Sequence, residues 1–187
     1  MSVTREAIEN DLRRHLDPHL QQDPVTSGCV QAIRVNGDHV EVDVVLGYPA
    51  QQFAASWAKT LEDSLLQVAG VSRATVKVSS QIEAHAGQGQ VPALARVKNV
   101  IAVSSGKGGV GKSTTSANLA LALAREGACA GLLDADIYGP SQGIMFGIAE
   151  GTRPEVKDQQ WFVPLEAHGV QLMSMAFLTD DRTPMVW

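Results

Sequence analysis

Apolar positions recur every four residues near the N-terminus, at Ile8, Leu12 and Leu16. Thr4 stands ahead of them as a capping residue and Asp17-Pro18 closes the run, which predicts a short helix. Cys29 to Val35 and Val40 to Leu46 then flank Asn36-Gly37, a strong hairpin signal. Val40, Val42 and Val44 alternate with Glu41 and Asp43, so one strand face is buried and the other wet. Phe53, Trp57, Leu61 and Leu65 form a core-facing helical stripe that ends near Gly70. Ala74, Val76 and Val78 alternate as a further strand. The order is α-β-β-α-β, a small α+β domain over residues 1–80.

The pattern then lapses. Residues 81–98, with Ala-His-Ala-Gly-Gln-Gly-Gln-Val-Pro, are small and polar without periodicity and read as a linker. From residue 99 it resumes in a different style. Asn99-Val-Ile-Ala-Val103 reads as a buried strand, and Thr114 to Glu126 as a helix. That helix is nearly all apolar, with Leu119, Leu121, Leu123 and several alanines, and Gly127 is placed as its C-cap. Ala128 to Leu133 is a short apolar run ending in Asp134-Ala-Asp136. Strand, loop, helix and strand make one βαβ unit of a parallel sheet, so residues 99–187 are expected to be α/β.

The loop inside that unit carries the chemistry. Gly106-x-x-x-x-Gly111-Lys112-Ser113 is the phosphate-binding loop pattern, in the strand-to-helix context the pattern requires. A triphosphate is held by consecutive backbone N–H groups and by the positive end of a helix dipole. Such close approach, with some residues at positive φ, favours glycine at Gly106, Gly108, Gly109 and Gly111. Val110 lies within the same cradle. Lys112 is placed for the β/γ-phosphates, the Ser113 hydroxyl for Mg²⁺ and Thr114 for the α-phosphate. Asp134 and Asp136, at the C-terminal end of the second strand, fall at the sheet edge where ligands of such folds bind.

Composition narrows the setting. Fifteen basic and 20 acidic side chains give a mildly acidic balance with no nucleic-acid footprint. No apolar run reaches the length of about 18 residues needed to span a membrane, and Met-Ser-Val-Thr-Arg-Glu is not a secretory signal. Two isolated cysteines make no disulfide framework, and Cys29 and Cys129, both in expected strands, read as small buried hydrophobes. His15, His19 and His39 read as surface residues. These features fit the cytoplasm.

Gly106-Lys-Gly-Gly-Val-Gly-Lys-Ser113 resembles the deviant phosphate loop of the MinD/ParA-type ATPases. Residues 99–115 and Gly131-Leu-Leu-Asp-Ala-Asp-Ile-Tyr-Gly-Pro-Ser141 are similar to the Mrp/ApbC iron–sulfur carriers within that group almost letter for letter. Pro164 to Phe177 and Met185-Val-Trp187 fit the same branch. The resemblance implies that Lys107 reaches across a homodimer to the partner's nucleotide. It also implies that Asp136 belongs to a switch that positions the attacking water, and that Asp134 helps hold the Mg²⁺ shell. Catalytic roles thus fall on Lys107, Lys112 and Asp136. Residues 1–80 resemble the iron–sulfur assembly domain that precedes the ATPase in many members, through Leu16-Asp-Pro-His-Leu20, the hairpin and the helix-strand end. Many members carry a cysteine just after the second strand, where this chain has Gly47-Tyr-Pro-Ala-Gln-Gln52. A second departure is Ser141-Gln-Gly-Ile144, where the family more often has a proline after the variable residue.

The resemblance implies an ATP-dependent carrier that passes 4Fe-4S clusters from a donor to apo-proteins. The alternative is a spatial-organising ATPase of the partitioning or division-site type. About ninety residues follow the linker, few for a complete doubly wound NTPase domain. Neither a later strand ending in a Walker B aspartate nor a Cys-x-x-Cys pair is present. The expectation is therefore an N-terminal fragment with an incomplete sheet, which hydrolyses ATP poorly or not at all. Its cluster would be held only by the full-length dimer.

Overall fold

The computed structural model describes residues 3–84, 94 and 96–178. Two compact units divide the chain, Met1–Val100 and Ile101–Trp187.

The first unit follows the expected order. Helix α1 (Arg5–Leu12) starts at Thr4, whose Oγ1 accepts the Ala7 N–H at 3.2 Å. Strands β1 (Val30–Asn36) and β2 (His39–Leu46) pair antiparallel, and β3 (Arg73–Ser80) adds parallel to β2 in the order β1-β2-β3. Helix α2 (Gln51–Leu65) makes the crossover from β2 to β3 that a parallel pair requires. Val40, Val42, Val44 and Leu46 are sealed on one face of β2 against Ile8, Leu12, Trp57, Leu61 and Leu65. Each such side chain contributes on the order of 1.5–3 kcal/mol by leaving water.

Two details differ from expectation. Helix α1 stops at Leu12, and Leu16 is 58% exposed rather than the last rung of the stripe. Arg14 and His15 donate to the carbonyls of Asp11 and Leu12, so i→i+3 turns replace the helix before Asp17-Pro18 is reached. The hairpin turns on Gly37-Asp38, one residue later than Asn36-Gly37, because Asn36 pairs with His39 as the last rung. Gly37 has φ of +66° at the first turn position. A positive φ there and not at Asp38 matches a type II′ turn, for which glycine is favoured.

Most of the expected linker, residues 85–93 and 95, lies outside the described residues, as do Met185-Val-Trp187. Among the described residues no helix is long and apolar enough to cross a membrane.

In the second unit, helix α3 (Lys112–Arg125) leads to strand β4 (Ala130–Asp134). Gly127, at φ +87°, ends α3, with the Ala128 N–H returning to the Leu123 carbonyl at 3.0 Å. A short helix α4 (Gln142–Met145) and a two-stranded ribbon, β5 (Val156–Lys157) with β6 (Trp161–Phe162), come next. Then β7 (Leu165–Ala167) and β8 (Val170–Ser174) form a hairpin closed by His168-Gly169, both at positive φ. A 3-10 turn, Met175–Phe177, follows. The sheet order is β4-β8-β7, parallel between β4 and β8 and antiparallel between β8 and β7. It is therefore mixed rather than wholly parallel.

Three expectations are corrected in this unit. Asn99–Val103 is not a strand: it is irregular, largely exposed, and paired with no strand among the described residues. Its apolar composition suits a buried strand, yet a strand exists only where a neighbour supplies ladder bonds. Helix α3 packs through Ala117 and Ala120, while Leu119 is exposed and Leu121 and Leu123 are half-buried. Small side chains let the helix approach Val170, Leu172 and Phe177 closely. Cys129 is exposed, since it precedes β4 rather than lying in it, whereas Cys29 is buried as expected.

Candidate functional site

Gly106 to Gly111 forms an exposed loop that runs into α3. The N-cap of α3 is Gly111 at φ +86°, and no side chain caps the helix. A helix start leaves its first N–H groups without intrahelical acceptors, and the helix dipole adds positive potential there. Gly109, at φ +71°, is the second left-handed position. A methyl group added at Gly106, Gly108, Gly109 or Gly111 meets no other protein atom within 4 Å. Internal crowding therefore does not account for the four glycines. Backbone conformation accounts for two, and the open space at all four is what close approach of a phosphate requires. This fit covers the phosphate part of a nucleotide.

Lys112 is half-buried at the first position of α3, and Ser113 follows it, also half-buried. Thr114 and Val110 are exposed. Lys107 is exposed, its backbone N–H donates to the Ser105 hydroxyl at 3.1 Å, and its ammonium has no bond to the other described residues.

The strand-end carboxylates divide the work. Asp134 is buried and both its oxygens are committed to the loop that follows. Oδ1 accepts the Asp136 N–H at 3.1 Å. Oδ2 accepts the N–H groups of Ser141 at 3.0 Å and Gln142 at 3.1 Å, with the Ser174 hydroxyl at 3.5 Å. Asp136 stays exposed and, among the described residues, accepts only the Gly139 N–H, at 3.0 Å through Oδ1. Asp134 thus shapes the loop, and Asp136 is free to face a ligand.

One connection has no sequence signature. The Gln142 side chain donates through Nε2 to the Ser113 carbonyl at 3.0 Å. It ties the strand-end loop to the first turn of α3 across 29 residues of sequence. A single polar residue gives no cue of such a contact.

Among the described residues, no three His, Cys, Asp or Glu side chains gather as a metal-ion cluster. Cys29 and Cys129 belong to different units.

A Gly-x-x-x-x-Gly-Lys-Ser loop opening an uncapped helix, beside an Asp-x-Asp strand end, defines the second unit as a P-loop NTPase domain. Residues 96–187 match the family described as NUBPL iron-transfer P-loop NTPase, and residues 5–78 match the family described as iron-sulfur cluster assembly protein. Residues 96–187 thus belong with the NUBPL iron-transfer P-loop NTPases, and residues 5–78 with the iron-sulfur cluster assembly proteins. An iron-sulfur cluster carrier protein of Pseudomonas fragi is 69% identical over 127 residues, covering 68% of this chain and 44% of that protein. Proteins of the same name from Synechocystis and Escherichia coli K12 are 36% and 37% identical. These alignments cover 99% and 98% of this chain, and 53% and 49% of the relatives. The chain spans about half the length of the relatives it matches.

Proposed function

We propose that this chain is the nucleotide-binding part of an ATP-dependent iron–sulfur cluster carrier, which hydrolyses ATP and passes 4Fe-4S clusters to apo-proteins. The observation that carries the reading is the open, uncapped Gly106–Ser113 cradle with its two lysines, in a chain whose relatives are named as cluster carriers.

In this reading the backbone N–H groups from Gly108 to Thr114 hold the phosphates, and the Lys112 ammonium sits against the β/γ-phosphates. Ser113 supplies its hydroxyl to Mg²⁺, which when bound offsets phosphate charge. Thr114 reaches the α-phosphate. Lys107, exposed and outside the cradle's own bonds, extends to the nucleotide of a second copy in a homodimer. Asp136 orients the attacking water from a loop that Asp134 holds in shape. The working place is the cytoplasm, and the partners are a cluster donor and apo-protein recipients.

Two measurements test this. Calorimetric titration of the chain with ATP and Mg²⁺ should show binding that Lys112→Ala weakens strongly; a flat titration rejects the nucleotide assignment. Anaerobic reconstitution of the whole protein, with iron and sulfide counted per dimer, tests the cargo. A preparation that holds no iron rejects the carrier role and leaves an ATPase switch.

A further inference from the structure

We propose that Gln142 is a positioning residue that carries the state of the magnesium site at Ser113 to the loop bearing Asp136. The inference rests on reading Gly106–Thr114 as the Mg·ATP loop.

Gln142 is bonded on both sides. Its backbone N–H donates to Asp134 Oδ2 at 3.1 Å, and its side-chain Nε2 donates to the Ser113 carbonyl at 3.0 Å. The other oxygen of the same carboxylate holds the Asp136 N–H at 3.1 Å. A continuous path therefore runs from Ser113 through Gln142 and Asp134 to Asp136. A backbone shift of Ser113 as its hydroxyl joins a metal moves the adjoining carbonyl. Gln142 must then follow or lose its bond.

The amide can face only one way. Turned over, its oxygen would meet the Ser113 carbonyl, two acceptors with no proton between them. With Nε2 on Ser113, Oε1 is buried with no partner among the described residues, in a residue only 3% exposed. A buried acceptor left unmatched opposes the arrangement that contains it and calls for an explanation such as stored strain. Leucine or methionine would fill the same space without that opposition. A glutamine here thus favours a loop with two arrangements, the ligand-free one held by Asp134 and by Ser113 against the orphaned oxygen. Release of that tension when Ser113 engages Mg²⁺ gives the loop its differential response.

Gln142→Met keeps the length and bulk while removing both the bond and the orphaned acceptor. ATP affinity of the chain is measured by calorimetry in Mg²⁺ and in EDTA. Amide hydrogen exchange across Gly139–Ile144 is followed under the same conditions. The unaltered chain should bind more tightly with Mg²⁺. The variant should lose about tenfold of that magnesium-dependent gain, a typical coupling between sites. Its affinity in EDTA should not change, and exchange in the loop should no longer respond to Mg·ATP. A variant with the full magnesium gain overturns the proposal and leaves the loop assignment standing. An unaltered chain that binds ATP in neither condition overturns both. Gln142→Leu is the second variant; thermal collapse of both would make Gln142 a packing residue and overturn the proposal.

Discussion

The Tyr48 hydroxyl, at the end of β2, donates to the buried Asp17 carboxylate at 2.5 Å. The same carboxylate accepts the His19 and Leu20 N–H groups at 2.7 and 3.2 Å, and the His19 ring stands edge-on to Tyr48 and Phe53. The Asp-Pro-His turn is thereby fastened to the sheet. Burial first, and then the neighbouring Asp17 carboxylate, hold the Tyr48 phenol above its ordinary range. A raised folded-state value means the contribution is full below the unfolded phenol's value of about 10 and fades as pH rises through the higher one. In an ultraviolet titration, Tyr48 should ionise later than a free phenol, and Tyr48→Phe should delete that late phase. Tyr48→Phe should also cost roughly 1–3 kcal/mol in urea unfolding, since Asp17 loses a donor in a buried site.

Ser64 joins the two helices of the first unit. Its hydroxyl donates to Asp11 Oδ2 at 2.8 Å, and Nε2 of His15 lies 2.7 Å from Ser64 Oγ itself. With its proton on Asp11, Ser64 accepts from His15. The three residues are thus a strut and not a base-activated nucleophile, where the histidine would take the serine proton. Ser64→Ala removes the hydroxyl donor from Oδ2 of a carboxylate that is only 7% exposed, leaving it the Arg14 ion pair at 3.7 Å through Oδ1. It should lower unfolding stability by about 1–3 kcal/mol, with β1–β3 unfolding together in far-ultraviolet dichroism.

Gly143 sits where α4 meets the 3-10 turn. A methyl group there would lie 2.9 Å from Cε1 of the buried Phe177 ring. Gly143→Ala should cost roughly 1–3 kcal/mol by overpacking. The Gly143→Ala, Phe177→Leu double variant should recover part of the loss, a coupling that a double-mutant cycle reads directly.

The two loop lysines should separate by concentration. Lys112→Ala should weaken Mg·ATP binding about 10–100-fold at any protein concentration, as expected for loss of a charged hydrogen-bond partner. Lys107→Ala should leave binding nearly unchanged in dilute chain and weaken it only where two copies associate. Equal losses from both variants in dilute chain would place Lys107 on its own nucleotide instead.

The first unit was legible because its periodicities are local. Val40, Val42 and Val44 alternate on one strand, and Trp57, Leu61 and Leu65 repeat on one helix, so each element carries its own evidence. The phosphate loop was legible for a different reason, since its glycines and lysine answer to a ligand at fixed spacing. Asn99–Val103 misled because strand formation depends on a distant partner that no local pattern reports. Leu16 misled because two i→i+3 turns intervene before the proline. The Asp134–Gln142–Ser113 connection was hidden because it is one side chain reaching across 29 residues. Of the four loop glycines, only Gly109 and Gly111 adopt the left-handed conformation that the sequence pattern suggests for some of them.

Cys29 is buried and Cys129 is exposed, one in each unit. The chain is therefore ready for single-site labelling as it stands. A maleimide fluorophore or spin label under native conditions should attach at Cys129, at the entrance to β4, and should reach Cys29 only on denaturation. Mass spectrometry of the labelled peptide would verify the placement. Distances and dynamics on the nucleotide side could then be followed without altering a residue.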